Sequence, residues 1–155
     1  MILTIDELIS QIDSLPRPLV ATSGGFDPLH IGHLRCLREA SELGGTLIAI
    51  LNGDGFLERK KQYKFMPVDD RMEIIDGIKG VDIVIPWDDG TQFVTGAIAQ
   101  IKPDIFAKGG DRALPKDIPE WDICQEVGCK VIFNVGGGKI RSSSELVANI
   151  CKDEL

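Results

Sequence analysis

The chain has 155 residues, 43% of them hydrophobic and 26% charged, with a formal net charge of −7. That balance belongs to one globular domain able to bury a real core. Its acidity argues against a general nucleic-acid or membrane-surface binder, which would be basic, and no apolar run reaches membrane-spanning length.

Taken in order, Thr4 to Glu7 has capping-box spacing. It predicts a short helix with Ile5, Leu8, Ile9 and Ile12 inward, ending before Pro16. Residues 1–16 are thus expected as an N-terminal covering helix on a single domain over 1–155. The N-terminus is acidic and amphipathic rather than a basic-then-apolar leader, which points to a cytoplasmic protein. Pro18 to Thr22 reads as a buried strand, and Gly24-Gly25 follows it. A helix then runs from about Leu29 to Leu43, with Leu34, Leu37, Ala40 and Leu43 as its apolar stripe.

Thr46 to Leu51 is a second strand, apolar throughout as a strand covered on both faces should be. It leads into Asn52-Gly53-Asp54-Gly55 and a basic loop, Glu58 to Lys64. A helix is expected from about Val68 to Ile78, with Asp69 and Asp70 where the dipole favours acids. Further strands are predicted at Val81–Pro86, Asp104–Ala107 and Lys130–Asn134. Helices are predicted from Thr91 to Gln100, around Glu120–Val127, and from Ser142 onward.

Strands alternating with helices predict an α/β fold: a Rossmann-like, doubly wound, five-stranded parallel sheet with helices on both faces. Each strand runs into a loop rich in Gly, Asp or Asn, and in such a sheet these loops share one edge. Gly24-Gly25, Asn52-Gly53-Asp54, Trp87-Asp88, Lys108 to Asp111 and Gly136 to Gly138 are therefore expected around one pocket. The first turn carries the chemistry. Glycines allow close backbone approach to a phosphate, and a helix start offers unpaired N–H groups and a positive dipole end. The chain's only two histidines, His30 and His33, share a face there.

The four cysteines, at 36, 124, 129 and 151, form no C-x-x-C and lack zinc spacing, so they are read as reduced thiols, with Cys36 packing. The ending Lys152-Asp153-Glu154-Leu155 spells a retention signal, which without a leader is read as a chance helix end.

His30-Ile31-Gly32-His33, within Gly24 to His33, resembles the signature of the HxGH nucleotidyltransferase superfamily. Lys60-Lys61, Asp70-Arg71-Met72-Glu73-Ile74-Ile75 and Ser142-Ser143-Ser144 agree with it in order. Lys102 to Asp111 is similar to the heptose-1-phosphate adenylyltransferase group, with the glycerol-3-phosphate cytidylyltransferases also near. The match covers residues 18 to 150. Gly138 to Ser144 lacks the acidic residue and second glycine usual in the glycerol-phosphate group, and Lys60 to Pro67 lacks the Lys-Gly and Arg-Pro usual in the heptose group.

The resemblance implies transfer of a nucleoside monophosphate from an NTP, with ATP first and CTP as the alternative. The acceptor is a phosphorylated small molecule such as a sugar 1-phosphate, or a polyol or amino-alcohol phosphate with CTP. Pyrophosphate leaves, and Mg2+ is carried on the NTP phosphates rather than in a protein metal site. A nucleotide-binding regulator is the non-enzyme alternative. By the same resemblance His30, His33, Lys61 and Arg71 are catalytic. Gly24, Gly25, Phe26, Asp27, Lys60, Gly110, Asp111, Arg141, Ser142, Ser143 and Ser144 bind nucleotide, and Asn52 and Asp54 border the acceptor. It also implies a homodimer.

Overall fold

A computed structural model describes residues 1–110 and 114–153. Five parallel strands form one sheet in the order β3-β2-β1-β4-β5. They are β1 (Leu19–Gly24), β2 (Thr46–Asn52), β3 (Ile83–Trp87), β4 (Ile105–Gly109) and β5 (Lys130–Val135). Seven α-helices are described: α1 (Ile5–Gln11), α2 (Ile31–Ser41), α3 (Asp54–Lys61), α4 (Val68–Asp76), α5 (Thr95–Ile101), α6 (Trp121–Val127) and α7 (Ser143–Asp153). The predicted α/β class and doubly wound sheet are what is found.

Alternate residues of each strand serve opposite faces, as the two-residue period of a strand requires. Ile48, Ile50, Ile83, Ile85 and Phe106 pack with Leu8 of α1, Ala97, Ile98 and Ile101 of α5, and Cys124 of α6. Leu47, Ala49, Leu51 and Val84 pack on the other face with Leu37 and Ala40 of α2 and Met72 and Ile75 of α4. This double cover explains why β2 is buried at all seven positions. The capping box of α1 is present: Glu7 N–H donates to Thr4 Oγ1 at 3.2 Å, and Thr4 N–H donates to Glu7 at 2.9 Å. Among the described residues no helix is long and apolar enough to cross a membrane.

One predicted loop is a helix. Residues 54–61 form α3, which takes in part of the expected Asn52 to Gly55 loop and the first half of the basic loop expected over Glu58 to Lys64. Phe56 and Leu57 are its buried anchors, Asp54 stands at its start, and Arg59, Lys60 and Lys61 sit at its negative end. Gly55 lies inside it because a Cβ there would come within 2.7 Å of the Asp88 carboxylate. Gln62, in the left-handed conformation, ends it.

The sheet order also decides where the crevice lies. β1 pairs with β2 along six positions but with β4 only at Val20↔Ile105 and Ala21↔Phe106. Beyond that point β1 and β4 part, and the Thr22 hydroxyl bridges them by donating to the Ala107 carbonyl at 3.1 Å. The connections from β1 and β4 leave in opposite directions here, the switch point at which open parallel sheets bind ligands.

Candidate active site

A cavity of about 430 Å³ opens at this switch point. Its wall contains Thr22, Ser23, Gly24 and Phe26 from β1 and its turn, and His30, Gly32, His33 and Cys36 from the start of α2. Lys60 and Lys61 of α3 reach it, as do Lys108, Gly109 and Gly110 at the end of β4. Val135 to Ser144 close it as a strap between β5 and α7. Gly136 permits the strap to pass: a Cβ there would lie 2.8 Å from the backbone of Cys36, and its φ is +86°.

The two histidines cap their own helix. Gly32 N–H donates to His30 Nδ1 at 3.1 Å, and His30 N–H donates to His33 Nδ1 at 3.2 Å. Each Nδ1 is thereby an acceptor, so the neutral rings carry their proton on Nε2. The rings stack with centroids 3.8 Å apart and planes 20° apart, and Phe26 lies against His33 at 4.9 Å. Burial, then the neighbouring His30 and Lys61, pushes His33 down to about 3. Burial, then Arg141 and Lys61, lowers His30 as well. The helix mouth therefore holds His33 as a neutral N–H donor, in a ring of fixed orientation.

Around these rings stand Lys60, Lys61, Lys108, Lys139 and Arg141, and no carboxylate appears among the described lining residues. In a chain of net charge −7 this is a strong local concentration of positive groups. Burial first, and then Lys60, lowers the Lys61 ammonium from its ordinary value, while Asp27 opposes that shift. The three serines differ: Ser142 Oγ accepts from Glu145 N–H at 3.4 Å, the Ser143 hydroxyl donates to Pro28 O at 2.8 Å, and Ser144 is exposed. Arg141 is exposed and donates to the Ile140 carbonyl at 2.7 Å.

The predicted residues thus separate into two groups. His30, His33, Lys60, Lys61, Gly24, Phe26, Gly110, Arg141 and Ser142 to Ser144 meet around the cavity. Gly25, Asp27, Asn52, Asp54 and Arg71 do not line it. Gly25 is bare because a Cβ would come within 2.8 Å of Leu57, so its role is to seat α3. Arg71, expected to reach a phosphate, is 1% exposed and donates at 2.7–2.9 Å to Met66 O, Gly25 O, Asn52 O and Asp54 Oδ1. Asn52 and Asp54, expected beside the acceptor, are two of those partners. The β2 and β3 loops, expected in the common pocket, lie off the switch point, and the wall holds neither. Asp111 lies outside the described residues.

Sequence reasoning missed Thr22, Ser23, Cys36, Lys139 and Ile140 as wall residues, while Lys108 stands where the loop after β4 was expected. Lys139 adjoins the Gly136 to Gly138 turn, the one signal that could have marked it. Cys36, read as a packing residue, stands in the wall, and burial pushes its thiol up.

A family model described as cytidylyltransferase-like matches residues 21–134. Curated relatives include the bifunctional protein HldE of Pseudomonas fluorescens strain SBW25, 34% identical over 141 residues, covering 88% of this chain and 27% of that protein. The protein of the same name from Wolinella succinogenes is 35% identical over 150 residues, covering 95% and 30%. The chain thus spans less than a third of the length of these relatives. Among solved structures, a lipopolysaccharide core biosynthesis protein from Thermoplasma volcanium GSS1 shares the fold at TM-score 0.63 and 24% identity, covering 80% of this chain and 97% of that one. Pantothenate synthetase from Thermus thermophilus does so at TM-score 0.62 and 13% identity, covering 94% and 66%.

Proposed function

The chain belongs to the cytidylyltransferase-like family of nucleotidyltransferases, and on that premise we propose that it transfers a nucleoside monophosphate from ATP to a sugar 1-phosphate, releasing pyrophosphate. The observation that carries this reading is the cavity wall: five cationic side chains and two stacked imidazoles, with no carboxylate among the described lining residues. Such a wall suits two phosphate-bearing substrates held together, which would otherwise repel each other.

The attacking group needs no general base. A phosphate monoester has its second pKa at about 6 and is largely dianionic near neutrality. An acceptor phosphate oxygen forms a bond to the α-phosphorus, the bond from that phosphorus to the β-phosphate oxygen breaks, and negative charge grows on the departing pyrophosphate. The protein's task is alignment and compensation for that charge. His30 and His33 donate from Nε2 to the triphosphate chain, His33 as a neutral imidazole. Lys60 and Lys61 approach from α3, and Arg141 with the Ser142–Ser144 helix start approaches from the strap. Magnesium brought in with the NTP would supply further charge neutralisation. The sugar phosphate as acceptor is taken from the similarity of Lys102 to Asp111 to the heptose-1-phosphate adenylyltransferases.

The test is pyrophosphate release with magnesium, each of four NTPs, and a panel of phosphorylated acceptors. Release that requires both ATP and a sugar 1-phosphate supports the proposal. Release with CTP and a polyol phosphate replaces it with the cytidylyltransferase reading. Tight nucleotide binding with no pyrophosphate from any pair would make the protein a nucleotide-binding regulator.

A further inference from the structure

The connection between α3 and α4, residues 62–67, follows directly on Lys60 and Lys61. It is fastened from beneath. Asp27, 1% exposed, accepts Phe65 N–H at 2.6 Å on one carboxylate oxygen and Met66 N–H at 2.7 Å on the other. The carbonyl of the same Met66 accepts from Arg71 Nε at 2.9 Å, so that residue's backbone is gripped on both sides. Asp54 adds a third tie, accepting Val68 N–H at 2.9 Å and Arg71 Nη2 at 2.9 Å. Two N–H groups on one buried carboxylate make charge-assisted bonds, stronger than neutral ones. At 1% exposed and outside the cavity wall, this carboxylate faces the chain and not a substrate.

From this geometry we propose that Asp27 is a positioning residue: by anchoring Phe65 and Met66 it sets where the Lys61 ammonium stands over the cleft. The proposal rests on the reading of Lys61 as a phosphate ligand. Asp27 also faces Lys61 electrostatically. The charged and titratable groups around that ammonium are Lys60 on α3, Asp27 on the β1–α2 turn, Arg71 on α4, and His30 and His33 on α2. Of these only Asp27 is acidic. Lys60 and Arg71 push the ammonium toward losing its proton, as burial does, and Asp27 holds it on. One side chain therefore ties down the segment that follows the lysine and opposes the loss of the lysine's proton.

Asparagine at 27 keeps the size but turns an NH2 toward one of the two N–H donors, which frees the 62–67 connection. Asp27→Asn is expected to lower kcat roughly 10²-fold, the scale of a misplaced catalytic group. Asp27→Asn combined with Lys61→Ala is expected to be no slower than Lys61→Ala alone, because both remove the same contribution. A second readout needs no substrate: the pH dependence of Lys61 amine labelling, followed by mass spectrometry. Its midpoint is expected to move to lower pH in Asp27→Asn. An unmoved midpoint, or additive losses in the double variant, overturns the proposal. Should the asparagine variant not fold, Asp27→Glu keeps the charge but displaces the anchor, and full activity in it overturns the proposal. If the wild-type protein releases pyrophosphate with no pair of substrates, the function proposed above fails, while the labelling midpoint still decides the tie between Asp27 and Lys61.

Discussion

The cleft and the knot beneath it are made from the same stretches of chain, yet their chemistry is opposite. The cleft wall gathers Lys60, Lys61, Lys108, Lys139 and Arg141 around neutral imidazoles. The knot joins Asp27, Asp54 and Arg71 to backbone groups of three different segments. Neighbours in sequence fall on different sides: Phe26 lines the cleft and Asp27 does not. The difference teaches that a charged residue within a motif read as phosphate-binding is not thereby a ligand of phosphate. What decides is whether its hydrogen-bonding capacity is already used by the chain.

That contrast can be broken most forcefully at Arg71. Arg71→Met removes four hydrogen bonds from a buried site and leaves carbonyls of Gly25, Asn52 and Met66 without this donor. A loss of about 3 kcal/mol is expected, a fall in melting temperature of roughly 6–12 °C by thermal denaturation. Unchanged stability with lost turnover would move Arg71 from the knot to the cleft. His33→Ala is the counterpart. It should lower turnover by at least ~10²-fold, or about 2.7 kcal/mol, because it removes a donor to the developing charge. Near-normal turnover with a full set of substrates would remove His33 from the assigned role.

The remaining expected effect, confined to acid conditions, is one of pH on stability. In the folded protein His33 titrates at about 3, against 6.5 for an unperturbed imidazole. Below about 6.5 the unfolded chain takes up a proton that the folded chain refuses. His33 therefore costs stability as the pH falls from about 6.5 toward about 3, and contributes no such loss above that window. Denaturant melts across this range should show a shallower acid decline in His33→Gln than in the wild-type protein. Parallel curves would mean that the imidazole is not held neutral.

The strands and the first glycine turn were legible because each is a local matter. β2 is apolar at consecutive positions because both faces are covered, and the run stands out in the sequence. The Thr4 to Glu7 box lies within one turn of chain, so its spacing is its structure. α3 was not legible: its only buried side chains are Phe56 and Leu57, it contains Gly55, and its last three residues are basic. Such a segment has little helical periodicity of its own, and its shape depends on Leu57 meeting Gly25 and Gly55 meeting Asp88.

Local pattern alone was enough to specify a parallel α/β sheet, a glycine-rich first turn and a pair of histidines at the following helix start. Which loops share the cleft was settled only by the strand order β3-β2-β1-β4-β5, because it places the crevice where β1 and β4 diverge and leaves the β2 and β3 loops aside. The same holds for Asp27, Asn52, Asp54 and Arg71. Their side chains are polar enough to serve a ligand, and the chain itself, packed around them, takes up the bonds they have to offer.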